Sequence, residues 1–125
     1  MKENAEIIES TPGIGKVTTA MLISELPELG TLTRREIASL TGVAPVARES
    51  GTFKGKRMTG GGRSSVRTQM YMPTLVAIQH NKPIREFYER LVNKGKTKMT
   101  AIVACMRKIL TILNVMVAKK ECWKF

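Results

Sequence analysis

The chain has 125 residues and a formal net charge of +11, and all 10 of its acidic residues are glutamates. This length fits one domain with its own core, and an apolar content of 42% argues against a disordered chain. Aromatic residues make up only 5% of the chain and β-branched runs are short, which favours an all-α fold over a β-sheet fold. A surplus of positive charge this large predicts a polyanionic partner, nucleic acid above all.

The positive charge lies mainly in one part of the sequence. Residues 1–47 contain four basic and six acidic side chains, whereas residues 48–125 contain seventeen basic and four acidic ones. No acidic side chain lies between Ser50 and Arg85. A solvated face is the ordinary explanation of a charge run, but a stretch so one-sided favours a binding site for a polyanion.

Two short helices are predicted at the start, over residues 5–10 and 16–26, joined by a tight Gly-Ile-Gly turn. We interpret residues 5–27 as a helix-hairpin-helix in which the first glycine allows the bend and the isoleucine packs between the helices. The glycines let the backbone approach a phosphate, and the second helix presents free N–H groups to it. A plain αα-corner without a ligand is the alternative. The predicted DNA-binding residues are Gly13, Ile14, Gly15, Lys16, Thr18 and Thr19.

A third helix is predicted over residues 34–40, with Thr33 as its N-cap and Glu36 completing a capping box. Residues 46–62 then lack any helical period and are rich in glycine, so we expect an exposed, functional loop. Ser50 precedes Gly51 in this loop. A serine that attacks a phosphodiester needs access and nearby cations, although a Ser-Gly pair is more often only a turn. The cations that the loop offers DNA are Arg48, Lys54, Lys56 and Arg57.

Three more helices are predicted, over residues 63–79, 83–92 and 98–118, and they form a packed helical region. The first follows three glycines and carries Arg63 and Arg67 one turn apart, which favours a second anion site over a flexible linker. Pro73 should kink this helix or remove one hydrogen bond. Apolar positions 99, 102, 103, 106, 109, 110, 113, 116 and 117 follow the helical period in the last helix, which predicts the core.

Other site classes lack the residues they need. The chain has no aspartate and no cluster of glutamates, so we predict no metal site and no two-metal nuclease centre in this chain. Cys105 and Cys122 lack metal-ligand spacing and follow no secretory leader, so we expect reduced thiols in a cytoplasmic protein. The apolar run 109–118 is too short for a membrane span, so no membrane partner is expected.

The order of motifs resembles the C-terminal domain of the DEDD-type transposases of bacterial insertion sequences, the 110/116/902 group, related to the Piv DNA invertases. The matching segments run in family order over nearly the whole chain. They are Thr11 to Lys16, Gly42 to Pro45, Ser50-Gly51, Gly62 to Arg67, Tyr88 to Leu91, Gly95-Lys96 and Ala101 to Leu110. Each motif is weak alone, and the set is specific.

This resemblance implies a recombinase whose N-terminal RuvC-like domain, absent from the 125 residues, carries the acidic residues and a divalent metal. By position in the Ser-Gly motif, Ser50 matches the serine thought to attack the DNA backbone and form a covalent link. The resemblance further implies a homo-oligomer with composite active sites, and in many members a structured guide RNA. Without the metal site, we expect this chain alone to be inactive.

Two other functions remain open. The chain could be a non-catalytic helix-hairpin-helix module that binds nucleic acid, in which Ser50 is only a turn residue. It could also be a protein–protein assembly domain that uses its last helix. Covalent chemistry at Ser50 separates the first from the recombinase, and burial of the last helix's apolar face within one chain argues against the second.

Overall fold

The fold is described by a computed structural model of residues 2–41 and 64–124. Within these ranges the chain forms α-helices and no β-strand, which confirms the all-α prediction for this part of the chain. The helices, numbered in chain order, are α1 (Lys2–Glu9), α2 (Lys16–Glu25), α3 (Arg34–Leu40), α4 (Ser64–His80), α5 (Lys82–Asn93) and α6 (Lys98–Lys119). Each begins and ends within three residues of its predicted bounds.

The last helix, α6, is the centre of the core. Helices α4 and α5 pack on it and on each other, while α1 and α3 contact it from the N-terminal part of the chain. Its buried residues are Ala101, Ile102, Cys105, Met106, Ile109, Leu110, Leu113, Met116 and Val117. The predicted stripe is confirmed, except that Met99 is 53% exposed and Val103 half-buried. Because the apolar face is buried within one chain, the argument for an assembly domain built on this helix is lost.

By length and composition alone, α6 is apolar enough to cross a membrane, with a mean hydropathy of 1.8 over its most apolar stretch. The core helix of a water-exposed domain meets the same criterion. Here half of that stretch is buried by the rest of the chain. The helix therefore serves as the packing partner of α4 and α5.

Helix α4 runs unbroken through Pro73. The pyrrolidine ring has no N–H, so the carbonyl of Gln69 loses its intrahelical donor. Of the two consequences predicted for Pro73, the lost hydrogen bond follows from this chemistry, and the helix continues to His80, about two turns beyond it. The next residue, Thr74, is fully buried, and its hydroxyl donates to the carbonyl of Met70 at 2.7 Å.

The side chain of Asn114 fastens the segment between α2 and α3 to α6. Its Oδ1 accepts hydrogen bonds from the backbone N–H groups of Gly30, at 2.7 Å, and Leu32, at 3.1 Å. Its Nδ2 donates to the carbonyl of Leu32 at 3.0 Å. Gly30 has a φ of 112° and lies so close to α6 that a Cβ would be 2.9 Å from Val117. The polar residue in the apolar run of α6 is thus the partner of a backbone segment.

We expect Asn114→Ala to lower the free energy of unfolding by about 2–3 kcal/mol, because it leaves two backbone N–H groups without an acceptor. Urea denaturation followed by circular dichroism measures the change. The matched control is Asn93→Ala at the exposed end of α5, where the same truncation should cost less than about 0.5 kcal/mol. Equal losses in the two variants would contradict the role given to Asn114.

Candidate nucleic-acid interface

The connection between α1 and α2 begins with a tight turn. The N–H of Ile14 donates to the carbonyl of Thr11 at 3.0 Å, which closes a four-residue turn. Pro12 occupies its second position and Gly13, with a φ of 98°, its third. This is the pattern of a type II turn, in which the third residue needs a positive φ that glycine adopts without strain. The predicted bend at Gly13 is therefore present.

Gly13 faces the protein interior. A Cβ built on it would lie 2.7 Å from the Cα of Ala77 in α4 and 2.9 Å from its Cβ. Such close approaches leave no room for any side chain at residue 13. The prediction that Gly13 clears space for a phosphate is wrong, because the space that it clears is occupied by α4.

The side chain of Asn81, between α4 and α5, is hydrogen-bonded to the turn at residues 11–14. It is almost completely buried, and its Nδ2 donates to the carbonyl of Pro12 at 3.2 Å. Its Oδ1 accepts from the N–H of Ile84 and so caps the first turn of α5. One buried amide therefore fixes the turn relative to two helices. The Asn-Lys-Pro pattern could have shown the cap, but no local signal shows a contact between residues 69 positions apart.

Two further members of the predicted set are also interior. Ile14 is 4% exposed and lies in the core cluster. It cannot touch DNA. Thr19 is buried, and its hydroxyl donates to the carbonyl of Gly15 at 2.8 Å. The prediction that Thr19 donates to a phosphate is wrong, since its hydroxyl serves the first turn of α2.

The N-terminal end of α2 is open. Gly15 is the N-cap. Within residues 2–41 and 64–124, no side chain caps the helix and no atom would lie within 4 Å of a Cβ at Gly15. The backbone N–H groups of Lys16, Val17 and Thr18 have no hydrogen-bond acceptor among the described residues. Free amides at a helix N-terminus, combined with the helix dipole, attract an anion.

Lys16 adds a movable positive charge to this end of α2. Its side chain is 86% exposed, and its Nζ lies 3.3 Å from a carboxylate oxygen of Glu9. An exposed pair of this kind is worth less than about 1 kcal/mol and is easily exchanged for a phosphate. Thr18 is half-buried on the same turn. Of the six residues predicted around the turn, Gly15, Lys16 and Thr18 remain available to a ligand.

Most of the second predicted site lies outside the described residues. These are Ser50, Arg48, Lys54, Lys56, Arg57 and Arg63. Arg67 is described and is exposed on the first turns of α4. Helices α2 and α4 are in contact. Arg67 lies near the N-terminal end of α4, whereas the α4 residue that contacts the turn is Ala77.

Neither metal chemistry nor a cysteine nucleophile is supported by the described part of the chain. Residues 2–41 and 64–124 contain no group of three His, Cys, Asp or Glu side chains able to hold a metal ion. Burial raises the pKa of the Cys105 thiol to about 11, although Lys108 opposes the shift. A buried, neutral thiol is a poor nucleophile. Both cysteines are free, Cys105 buried and Cys122 exposed.

The family profile and the individual relatives that match this chain point to the same protein family. The profile of the transposase IS116/IS110/IS902 family matches residues 5–89. The pilin gene-inverting protein of Moraxella bovis is 32% identical over 116 residues, covering 90% of this chain and 36% of that protein. The insertion element IS110 43.6 kDa protein of Streptomyces coelicolor is 28% identical, over 88% of this chain and 28% of that protein. No solved structure matches. The chain thus spans about a third of the length of these relatives.

The contrast between the two glycines gives a stability test. Gly13→Ala should destabilise the fold by about 3 kcal/mol or more, because a Cβ meets Ala77 and a positive φ strains any other residue. Gly15→Ala should cost less than about 1 kcal/mol, since its φ of −99° suits any residue and its Cβ meets nothing. Thermal and urea unfolding of both variants measures the difference. A Gly13→Ala protein as stable as the wild type would refute this packing.

Proposed function

We propose, because this chain belongs to the IS116/IS110/IS902 transposase family, that it is the part of a recombinase that engages DNA and supplies a serine nucleophile. The family supports a role in transposition or DNA inversion, with DNA as a partner. The proposal further specifies which residues contact the DNA and which serine attacks it. The chain would act within a longer, cytoplasmic protein, since its relatives are about three times as long.

One observation carries the DNA-binding assignment. The open end of α2 presents the exposed Lys16 and three backbone N–H groups that have no acceptor among the described residues, while the turn before it is held against α4. A rigid donor set loses little conformational entropy when it binds a phosphate. This supports a helix-hairpin-helix in which Gly15, Lys16 and Thr18 contact the DNA backbone. Such contacts orient a protein on DNA without reading its sequence.

The serine step extends this arrangement. The Oγ of Ser50 would lose its proton and attack a backbone phosphorus, forming a phosphoserine ester. The phosphodiester bond would break, and its leaving oxygen would gain a proton. Cations between residues 48 and 67, namely Arg48, Lys54, Lys56, Arg57, Arg63 and Arg67, would stabilise the charge that develops on phosphorus.

A divalent metal and its carboxylates would come from a RuvC-like domain of the full-length protein. The metal would polarise the phosphate and the attacking or leaving oxygen. If the metal and the serine come from different domains, the active site is composite and forms in a homo-oligomer. The positively charged residues of this chain could also bind a guide RNA. The isolated chain should then bind DNA without cleaving it.

Binding at the open end of α2 can be tested by its salt dependence. We expect log K for a 20-base-pair duplex to fall with log salt at a slope of roughly −4 to −5, corresponding to about five phosphates. Lys16→Gln should reduce the steepness by about 0.9, and Gly15→Val should weaken binding by obstructing the amides. Fluorescence anisotropy from low to high salt gives these values.

Arg34→Gln is the matched control, because Arg34 is an exposed cation on α3 and the substitution removes the same charge. Equal changes for Lys16→Gln and Arg34→Gln would show diffuse attraction in place of a site. A slope near zero for the wild type would remove the DNA-binding assignment altogether.

The serine nucleophile is tested in the full-length protein, with labelled element ends on denaturing gels. We expect a covalent protein–DNA adduct that Ser50→Ala abolishes, while DNA affinity changes less than about twofold, because the neighbouring cations still hold the phosphate. Ser64→Ala and Ser65→Ala are the controls, since both serines begin α4. An adduct that persists in Ser50→Ala would contradict the assignment. Tight binding without any adduct would favour the non-catalytic helix-hairpin-helix module.

A further inference from the structure

We infer that the corner between α5 and α6 is a second binding surface for the phosphodiester backbone of a nucleic-acid duplex, separate from the open end of α2. This corner surface consists of Arg90, Lys94, Lys96, Lys98 and Lys108. It lies beyond residue 89, where the family match ends. The inference goes beyond the proposed function and does not depend on it.

Unneutralised charge is the first observation. From Arg90 to Lys120 the sequence contains no acidic residue. Lys94, Lys96 and Lys98 are exposed, and within the described part of the chain none forms an ion pair. The nearest acidic residues in sequence, Glu86 and Glu89, are exposed on α5 and also form none there. A cluster of exposed cations that form no ion pairs is the electrostatic pattern of a backbone-binding surface.

The ring of Phe87 organises two of these cations. The Nζ of Lys108 lies 4.7 Å from the centre of the ring, and the Cζ of Arg90 lies 5.8 Å from it. Each contact is a cation–π interaction, which orients a side chain that would otherwise be free. Arg90 comes from α5 and Lys108 from α6, so the ring brings cations of two helices together. Two adjacent cations held without a carboxylate gain free energy from a shared phosphate.

The backbone of the corner is equally well defined. Helix α5 ends at Asn93, and Gly95, two residues later, has a φ of 97°. The N–H of Lys96 donates to the carbonyl of Leu91 at 3.1 Å. This is the hydrogen bonding of a Schellman-type C-cap. Thr97 then caps α6 by accepting from the N–H of Thr100 at 3.1 Å. Two successive caps fix the backbone from which Lys94, Lys96 and Lys98 project.

Dimensions separate the corner surface from the open end of α2. Thr11, at the turn, contacts Met116 near the C-terminal end of α6, with 3.9 Å between its Oγ1 and the Sδ. Lys98 begins α6 at the other end, about 27 Å away along the helix axis. The corner itself spans about 15 Å from Lys98 to Lys108, a length over which a duplex carries roughly nine phosphates. It is therefore large enough to contact several phosphates by itself.

The test compares two triple variants of the chain that lose the same charge. Lys94→Gln/Lys96→Gln/Lys98→Gln removes the corner lysines, and Arg34→Gln/Arg35→Gln/Lys124→Gln removes three exposed cations elsewhere. With 20-base-pair DNA and RNA duplexes in separate titrations, we expect the corner variant to flatten the salt slope by roughly 2 to 3 for at least one duplex. The control variant should change it by less than about 1. The duplex that shows the loss identifies the source of the backbone.

Lysine acetylation with and without duplex, read by mass spectrometry, provides an independent measurement. Lys94, Lys96 and Lys98 should be protected by bound duplex, whereas Lys124 should not. Equal slopes for the two triple variants, or unprotected corner lysines, would overturn the inference. If Lys16→Gln weakens duplex binding while the triple corner variant binds with the wild-type affinity and salt slope, only the α2 site is supported and the inference is overturned. The reverse result would support only the corner.

Discussion

The turn at residues 11–14 can lie against α4 only because Gly13 has no side chain. The turn packs directly on the backbone of Ala77, and the buried amide of Asn81 completes the attachment by binding the carbonyl of Pro12. The direction of α2 follows from this packing, since α2 begins two residues after the turn closes. The packing of Gly13 against Ala77 therefore also sets the position of the free backbone N–H groups at the start of α2.

A short glycine motif therefore combines two roles that sequence alone does not separate. Gly13 is needed inside, where a positive φ and a close approach to α4 coincide. Gly15 is needed outside, where the lack of a capping side chain leaves backbone donors unpaired. Ile14, between them, anchors the pair in the core. The contacts explain what each residue of the motif contributes.

Most of the helices and their ends could be predicted from local sequence patterns. The periodic stripe of α6, the capping box at Thr33 and Glu36, and the turn residues before α2 were predicted correctly, because each depends on residues within one or two turns. The hydrogen-bond partners of two polar side chains, Asn114 and Thr19, were not predicted. No pattern in the sequence indicated a partner for Asn114, and Thr19 was predicted to contact DNA. Their partners are backbone atoms, and for Asn114 these lie more than 80 residues away in sequence. The corner surface has no sequence motif of its own, because the packing of α5 on α6 brings Arg90 and Lys108 together around Phe87.

The sequence separation of these contacts has a consequence for folding order. Helices α4, α5 and α6 are consecutive and pack on one another, so they close with little loss of chain entropy. The attachments of the first three helices join residues 69 to 113 positions apart, from Asn81–Pro12 to Trp123–Ser10. Contacts of such range form late and depend on a structure already in place. The N-terminal end of α2 is thus positioned after the helices that carry it, so a nascent chain presents this end only once α4, α5 and α6 have been synthesised and have packed.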